Sequence, residues 1–217
     1  MENGKKMIVK IRMLDPDLAK NMEQEIRDHI LNKSLDKFVR DGYNGSNFHV
    51  PKFLCLEEEI GITVDIPQEK SKRVYEIIID RIMEFIGTAD KYGSYHGGLN
   101  CGVRHSIDDL ERYLNLHPTD PTPVAREKIE EAYAVFLKRM ARTVDFEEAV
   151  ADAKRLEKIT GVKISDEIIQ ESYLVILSEM NLEKTKALKK YTDINPRDDL
   201  VEMYVEKRRQ ELNKCLE

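Results

Sequence analysis

The chain has 217 residues, of which 41% are hydrophobic and 35% charged, and its formal net charge is −6. This length can bury a sizeable core in one or two domains, and the acidic pI of about 5.6 disfavours a general affinity for nucleic acid, which needs a basic surface. The three cysteines form no CxxC pair and no window has the apolar length of a membrane span, so we expect a soluble cytoplasmic protein with no membrane partner and no disulfide framework.

The sequence of the N-terminal part predicts helices and is compatible with one short strand pair. Residues 7–14 are rich in β-branched side chains and could form a short strand, and residues 61–66 could be either a loop or a strand that pairs with it. Asp15 is predicted to be the N-cap of a long helix that ends near Gly42. Two further helices are predicted, at residues 50–60 and 67–86.

Residues 87–106 contain five of the ten glycines and are predicted to form an inserted loop. Ser106 is the expected N-cap of a short helix after this loop. These features predict an N-terminal region, 1–106, and a C-terminal helical region, 107–217, within one continuous domain. In the C-terminal region, helices are predicted at residues 123–142, 144–160, 165–180, 182–192 and 196–214, with Thr143, Ser165 and Asn195 as N-caps.

A seven-residue pattern recurs in the chain, beginning at Leu56, Leu110, Leu156 and Leu188. Its sixth residue is Gly, Asn or Asp, which tolerate the left-handed conformation at a helix end, and its seventh is branched and apolar. Each copy is followed by a helix with a tyrosine, which we expect to be structural. These tyrosines are Tyr75, Tyr133, Tyr173 and Tyr204. Helical hairpins of this length bury their apolar faces by stacking, so the pattern predicts a repeat array.

The segment from Phe146 to Leu156, FEEAVADAKRL, followed by Gly161 and a new helix, resembles the second helix of tetratricopeptide or pentatricopeptide repeats. The resemblance covers about residues 123–214. It implies architecture only: a mainly α fold in which antiparallel helical hairpins stack as a right-handed αα-repeat array.

The glycine-rich segment and its flanks also carry residue types that bind ligands. The candidate binding residues are Tyr92, Tyr95, His96, Asn100, Cys101, Arg104 and His105. Histidine and cysteine favour zinc, but a structural site needs a fourth ligand, for which the candidates are His49, Cys55 and His117. Cys101 could instead be a nucleophile with His96 or His105 as its base. We favour the simpler interpretation of a loop with no catalytic residue, metal or cofactor.

These observations predict a non-catalytic binding scaffold for a protein or peptide partner. One alternative is an RNA-binding helical-repeat protein, in which the basic clusters 184–190 and 207–209 would contact phosphate. The other alternative is a metal-binding protein or enzyme centred on His96, Cys101 and His105. The last helix has no evident polar capping face, which favours a homodimer.

Overall fold

The protein was analysed as a computed structural model, which describes residues 13, 15–43, 51–61, 64–92, 98–118, 122–139, 141–142, 145–179 and 181–216. All regular structure within these residues is helical, which confirms the predicted mainly α fold. The chain divides into two compact units. The first comprises residues 1–80 and 105–125, and the second comprises residues 81–104 and 126–217. In the described ranges no helix is long and apolar enough to cross a membrane.

The helices are α1 (Pro16–His29), α2 (Asp36–Asp41), α3 (Lys52–Ile60), α4 (Gln68–Tyr92), α5 (Gly98–Leu116), α6 (Thr122–Ala134), α7 (Phe146–Thr160), α8 (Asp166–Ser178), α9 (Leu182–Thr192) and α10 (Asp198–Leu216). Within the described ranges, two π-helical segments interrupt them. Ile30–Leu35 joins α1 to α2, and Val135–Arg139 follows α6.

The first unit is built around aromatic side chains. The ring of Tyr113 on α5 packs edge-on against Phe53 and Tyr75, with centroid distances of 6.3 and 5.4 Å. Such edge-to-face pairs add to the free energy gained by burying the rings. The predicted cap of α1 is confirmed, because the Asp15 carboxylate accepts a hydrogen bond from the backbone N–H of Leu18 at 3.0 Å.

The predicted strand pair of residues 7–14 and 61–66 is not found in the part of the chain that the structure describes. Residues 7–12, 14, 62 and 63 lie outside that part, and residues 64–66 are irregular. The backbone N–H of Val64 donates to the Glu57 carboxylate at 2.9 Å. A side chain therefore satisfies the donor that a strand partner would otherwise satisfy.

The predicted loop at residues 87–106 is wrong for most of its length. Helix α4 continues to Tyr92 and α5 begins at Gly98, while residues 93–97 lie outside the described ranges. Gly102 explains part of the error, because a Cβ atom there would lie 2.6 Å from the Phe85 ring. The absence of a side chain at Gly102 allows α5 to pack closely against Phe85 of α4, so this glycine does not mark a loop. Ser106 is buried within α5 and is not an N-cap.

The helices of the second unit pack in a regular order. Helix α7 contacts α9, and α8 contacts α10. The π-helical segment after α6 contacts both α7 and α8, and α9 contacts α8. Helices α7 and α8 thus each contact the helix two places further along the chain, and α8 also contacts the next helix, α9.

The predicted boundaries of α7, α8 and α9 agree with the structure to within two residues. The predicted cap Ser165 is confirmed, since its hydroxyl oxygen accepts from the N–H of Ile168 at 3.4 Å. Asn195 is not a cap, because α10 begins three residues later at Asp198. Its carbonyl instead accepts a hydrogen bond from the side chain of Gln170. Thr143 lies outside the described residues.

The left-handed helix ends predicted by the repeat are present in three of its four copies. Gly61, Gly161 and Asp193 have φ angles of 71°, 70° and 58°. The N–H of each donates to the carbonyl four residues earlier, at 2.8 to 2.9 Å. The prediction is wrong for Asn115, where α5 remains helical to Leu116 and a further bond joins the N–H of His117 to the Tyr113 carbonyl.

Candidate functional site

Two turns of the second unit are held by the same set of hydrogen bonds. We call Thr160–Ile164 the first seam. Here the Tyr133 hydroxyl donates to the Val162 carbonyl at 2.8 Å, and the Thr160 hydroxyl donates to the Leu156 carbonyl at 2.8 Å. All these side chains are buried, and burial raises the pKa of Tyr133.

We call residues 192–197 the second seam, and its bonds repeat those of the first. The Tyr173 hydroxyl donates to the Ile194 carbonyl at 2.7 Å, and the Thr192 hydroxyl donates to the Leu188 carbonyl at 2.7 Å. Burial raises the pKa of Tyr173 to about 12. The tyrosines are therefore structural groups that satisfy the carbonyl of the branched residue after each left-handed cap.

The second seam has one further component, the side chain of Gln170. Its amide nitrogen donates to the Asn195 carbonyl at 2.8 Å, and its amide oxygen accepts from the backbone N–H of Arg197 at 2.9 Å. One side chain thus joins α8 to both sides of the turn before α10. This clamp fixes the distance between the two helices where α10 begins.

A groove of about 360 Å³ lies beside this clamp. It is lined by Asp166, Glu167, Gln170, Glu171 and Leu174 of α8, together with Arg197 and Leu200. The α8 residues recur at intervals of one, three and four, so they share one side of the helix. The other side of α8 packs into the core through Ile169, Tyr173, Ile176 and Leu177.

The groove is acidic with an apolar component. Glu171 forms an ion pair with Lys138, and Arg197 forms a two-bond ion pair with Asp199 at 3.1 and 3.0 Å. Asp166 and Glu167 are exposed and have no ion-pair partner among the residues that the structure describes. Leu174 is 44% exposed, which is high for a leucine on a packed helix.

The structure places some of the residues predicted from the glycine-rich segment, and their role in binding stays a prediction. Tyr92 ends α4, Asn100 lies in the first turn of α5, and Cys101 is exposed on α5. Tyr95 and His96 lie outside the described residues. The two remaining candidates can be placed by their contacts.

Arg104 and His105 each have a carboxylate neighbour. The Arg104 guanidinium binds two carboxylates of α7, Glu148 at 3.1 Å and the buried Asp152 at 3.3 Å. This arrangement ties α5 to α7 and gives Arg104 a structural role. His105 is exposed, with its Nδ1 atom 3.9 Å from an Asp108 carboxylate oxygen.

No group of three or more His, Cys, Asp or Glu side chains is placed to hold a metal ion in the described part of the chain. Of the proposed fourth ligands, His49 lies outside the described residues, and Cys55 is half-buried. His117 is buried and its Nε2 atom lies 2.8 Å from an oxygen of Glu57.

The buried pair of Glu57 and His117 resembles a catalytic dyad, but the repeat indicates another role. The other oxygen of Glu57 accepts from the N–H of Val64, seven residues later. In the corresponding copy Glu157 accepts from the N–H of Ile164, also seven residues later, at 3.1 Å. Because Glu157 occupies this position without a histidine, the carboxylate closes the turn after the helix in both copies.

Some members of each basic cluster are engaged within the chain. Lys184 donates to the Ala141 carbonyl at 2.5 Å, and burial lowers its pKa. Lys190 pairs with Glu147 at 2.8 Å. Lys207 donates to the Ser178 carbonyl, and Arg209 pairs with Glu206 at 3.1 Å. These contacts reduce the positive charge that either cluster could offer to a phosphate backbone.

Comparison of the chain with protein-family models, curated proteins and solved structures gave no match. Sequence reasoning missed this groove, although α8 shows a signal for it. A stripe of exposed carboxylates that ends in Leu174 lies on a different side of the helix from the apolar stripe of Ile169 and Tyr173.

Proposed function

We propose that this protein is a non-catalytic binding scaffold whose groove between α8 and α10 holds a peptide segment of a protein partner. The segment has basic side chains next to an apolar anchor. The observation that carries this proposal is the combination, in one groove, of the half-exposed Leu174 and two exposed carboxylates that have no ion-pair partner in the described part of the chain.

The packing of the second unit supports a helical-repeat scaffold. Contacts between α7 and α9 and between α8 and α10 are those expected when hairpins stack side by side. The two seams repeat the same tyrosine and threonine bonds at matching positions. Both observations favour the αα-repeat architecture that the resemblance to tetratricopeptide repeats implies.

The chemistry of the groove selects the partner. An apolar side chain placed on Leu174 and Leu200 would be removed from water, which favours binding. Lysine or arginine next to that anchor would meet Asp166 and Glu167. Such charge complementarity mainly increases specificity and the association rate.

The Gln170 clamp favours binding because it fixes the groove in advance. Its two hydrogen bonds join α8 to the chain at Asn195 and Arg197. A groove whose walls are already ordered loses less conformational entropy when a peptide enters.

Fluorescence anisotropy of a labelled synthetic peptide that alternates lysines with leucines tests the proposal directly. We expect saturable binding that weakens as salt is added. A peptide with glutamates in place of the lysines, and another with serines in place of the leucines, should bind much more weakly. Equal binding of all three peptides, or no binding of the first, would overturn the proposal.

Matched variants locate the binding site. Glu167→Lys should weaken binding about tenfold, as expected for a charge reversal at a contact. Glu127→Lys is the control, since Glu127 is also an exposed carboxylate, on α6, and the net charge changes by the same amount.

A second pair of variants tests the apolar anchor. Leu174→Asp should abolish detectable binding, whereas Leu182→Asp should preserve it, because Leu182 is similarly exposed, at 48%, and is not part of the groove. If the two variants of either matched pair lost peptide affinity to the same extent, the peptide would bind outside the groove.

A further inference from the structure

Helix α10 carries an apolar stripe that its own unit does not cover. Val201, Val205 and Leu212 are 40, 50 and 63% exposed. Their spacings of four and seven residues place them on one side of the helix. The buried contact of α10 is made by Leu200, in a different direction. An uncovered stripe of this spacing is suited to contact a second helix.

The charges of α10 are divided between its two halves. The first half carries Asp198, Asp199, Glu202 and Glu206, and the second carries Lys207, Arg208, Arg209 and Lys214 together with one acidic residue, Glu211. Two copies of this helix that lie parallel would place like charges together. Two antiparallel copies would place the acidic half of one helix beside the basic half of the other.

We propose that the chain forms a homodimer in which α10 packs antiparallel against α10 of a second copy. In this register Val201 lies opposite the partner's Leu212, and Glu202 lies beside the partner's Arg209. A two-fold axis repeats each contact, so one complementary pair on α10 provides two in the dimer. This proposal is independent of peptide binding in the groove.

Arg208 falls within the apolar stripe and is compatible with this arrangement. In the antiparallel register it lies opposite the partner's Val205 rather than its own counterpart. Its guanidinium is 3.7 Å from the Glu211 carboxylate, on the same helix. The methylene groups of Arg208 can therefore cover the partner's Val205, while its guanidinium stays paired with Glu211 at the edge of the interface.

The existing ion pair of Arg209 does not prevent the dimer. Arg209 pairs with Glu206 across one helical turn, and both side chains are more than half exposed. Exposed pairs of this kind are weak and exchange partners readily. Because each copy contributes only three exposed apolar side chains, the dimer is expected to be reversible and dependent on concentration.

Sedimentation velocity of the full chain over a concentration series tests the proposal. The wild type should change from monomer to dimer as its concentration rises. Val205→Asp should remain monomeric throughout. Met203→Asp is the control, because Met203 is 41% exposed and lies on another side of α10, and it should dimerise like the wild type. A wild type that stays monomeric, or equal losses in both variants, would overturn the proposal.

A charge exchange tests the antiparallel register. Glu202→Arg alone and Arg209→Glu alone should each weaken dimerisation about tenfold, since each places like charges together twice. The double variant should restore it, because the complementary pair is rebuilt with its signs reversed. Failure of the double variant to recover would overturn the antiparallel arrangement. Circular dichroism confirms that each variant remains helical. Normal peptide binding by a monomeric chain would leave the groove proposal intact.

Discussion

The two seams of the second unit have the same internal hydrogen bonds but different surroundings. In each, a tyrosine hydroxyl binds the carbonyl of the branched residue after a left-handed cap. At the first seam Thr160 and Val162 are buried, whereas at the second Thr192 and Ile194 are half-buried. Only the second is crossed by a glutamine clamp, and the groove lies beside it.

This difference separates structure from proposed function. The bonds that occur in both seams satisfy buried polar groups and are required for packing. The features that occur only at the second seam are the clamp of Gln170, the carboxylates of Asp166 and Glu167, and the exposed Leu174. Under the proposed function, these features make the specific contacts with the partner.

Removal of the tyrosine hydroxyl should affect the two seams unequally. Tyr133→Phe should lower the free energy of unfolding by about 2 kcal/mol, because it leaves the buried Val162 carbonyl without its donor. Tyr173→Phe should cost about 1 kcal/mol, since Ile194 is nearer to solvent and water can replace the hydroxyl. Urea unfolding followed by circular dichroism measures both values. Equal costs would contradict the difference in burial between the seams.

Substitutions at two of the left-handed caps should change the free energy of unfolding in opposite directions. Gly161→Ala should destabilise the protein by about 1 kcal/mol, because alanine is strained at a φ angle of 70° even where nothing lies within 4 Å of its Cβ. Asp193→Gly should stabilise it slightly, by about 0.5 kcal/mol, since glycine relieves the same strain at 58°. Thermal unfolding of both variants gives the signs. Destabilisation by Asp193→Gly would show that the aspartate has a further stabilising contact.

The Gln170 clamp occurs at the second seam alone. Its removal should therefore lower both the stability of the protein and its binding of the peptide. Gln170→Ala should lower the free energy of unfolding by about 1 kcal/mol and weaken binding of the lysine–leucine peptide. Glu130 is the control, because it precedes Tyr133 by three residues as Gln170 precedes Tyr173. It makes an exposed pair with Arg126, so Glu130→Ala should have almost no effect on stability. Chemical unfolding combined with anisotropy would distinguish the two variants.

Alkaline pH should lower the stability of both seams. At neutral pH this effect is the smallest of the predicted effects. Burial raises the pKa of Tyr173 from 10.0 to about 12, so the folded state holds the hydroxyl proton more tightly than the unfolded state. The resulting stability is complete below pH 10 and is lost as the pH rises towards 12. Unfolding measured across this range should show the loss, and Tyr173→Phe should reduce it. An unchanged pH dependence in that variant would contradict the assignment.

Local signals in the sequence predicted much of the second unit. Gly161, Ser165 and the periodic apolar residues of α7, α8 and α9 fixed these helix ends to within two residues, because caps and helical spacing depend on neighbouring residues. Glu57 and Glu157 hold the N–H group seven residues later. That role was missed, although both glutamates occupy the second position of their repeat copies.

Longer-range packing could not be predicted. The glycines of residues 87–106 indicate a loop by local preference, but Gly102 is required for contact with Phe85, which lies on another helix. The groove likewise depends on the positions of α8 and the start of α10. The Gln170 bonds that set these positions span 25 and 27 residues, and no local pattern indicates them.

Amide NMR of the isotopically labelled full chain, titrated with the lysine–leucine peptide, tests the central claim most directly, because it observes both seams in one experiment. We predict saturable shift changes at Glu167, Gln170, Glu171, Leu174 and Leu200, with little change at Val162 and Ile164 of the first seam. Shift changes of equal size at both seams, or none at the second, would contradict the proposal that the groove between α8 and α10 is the binding site.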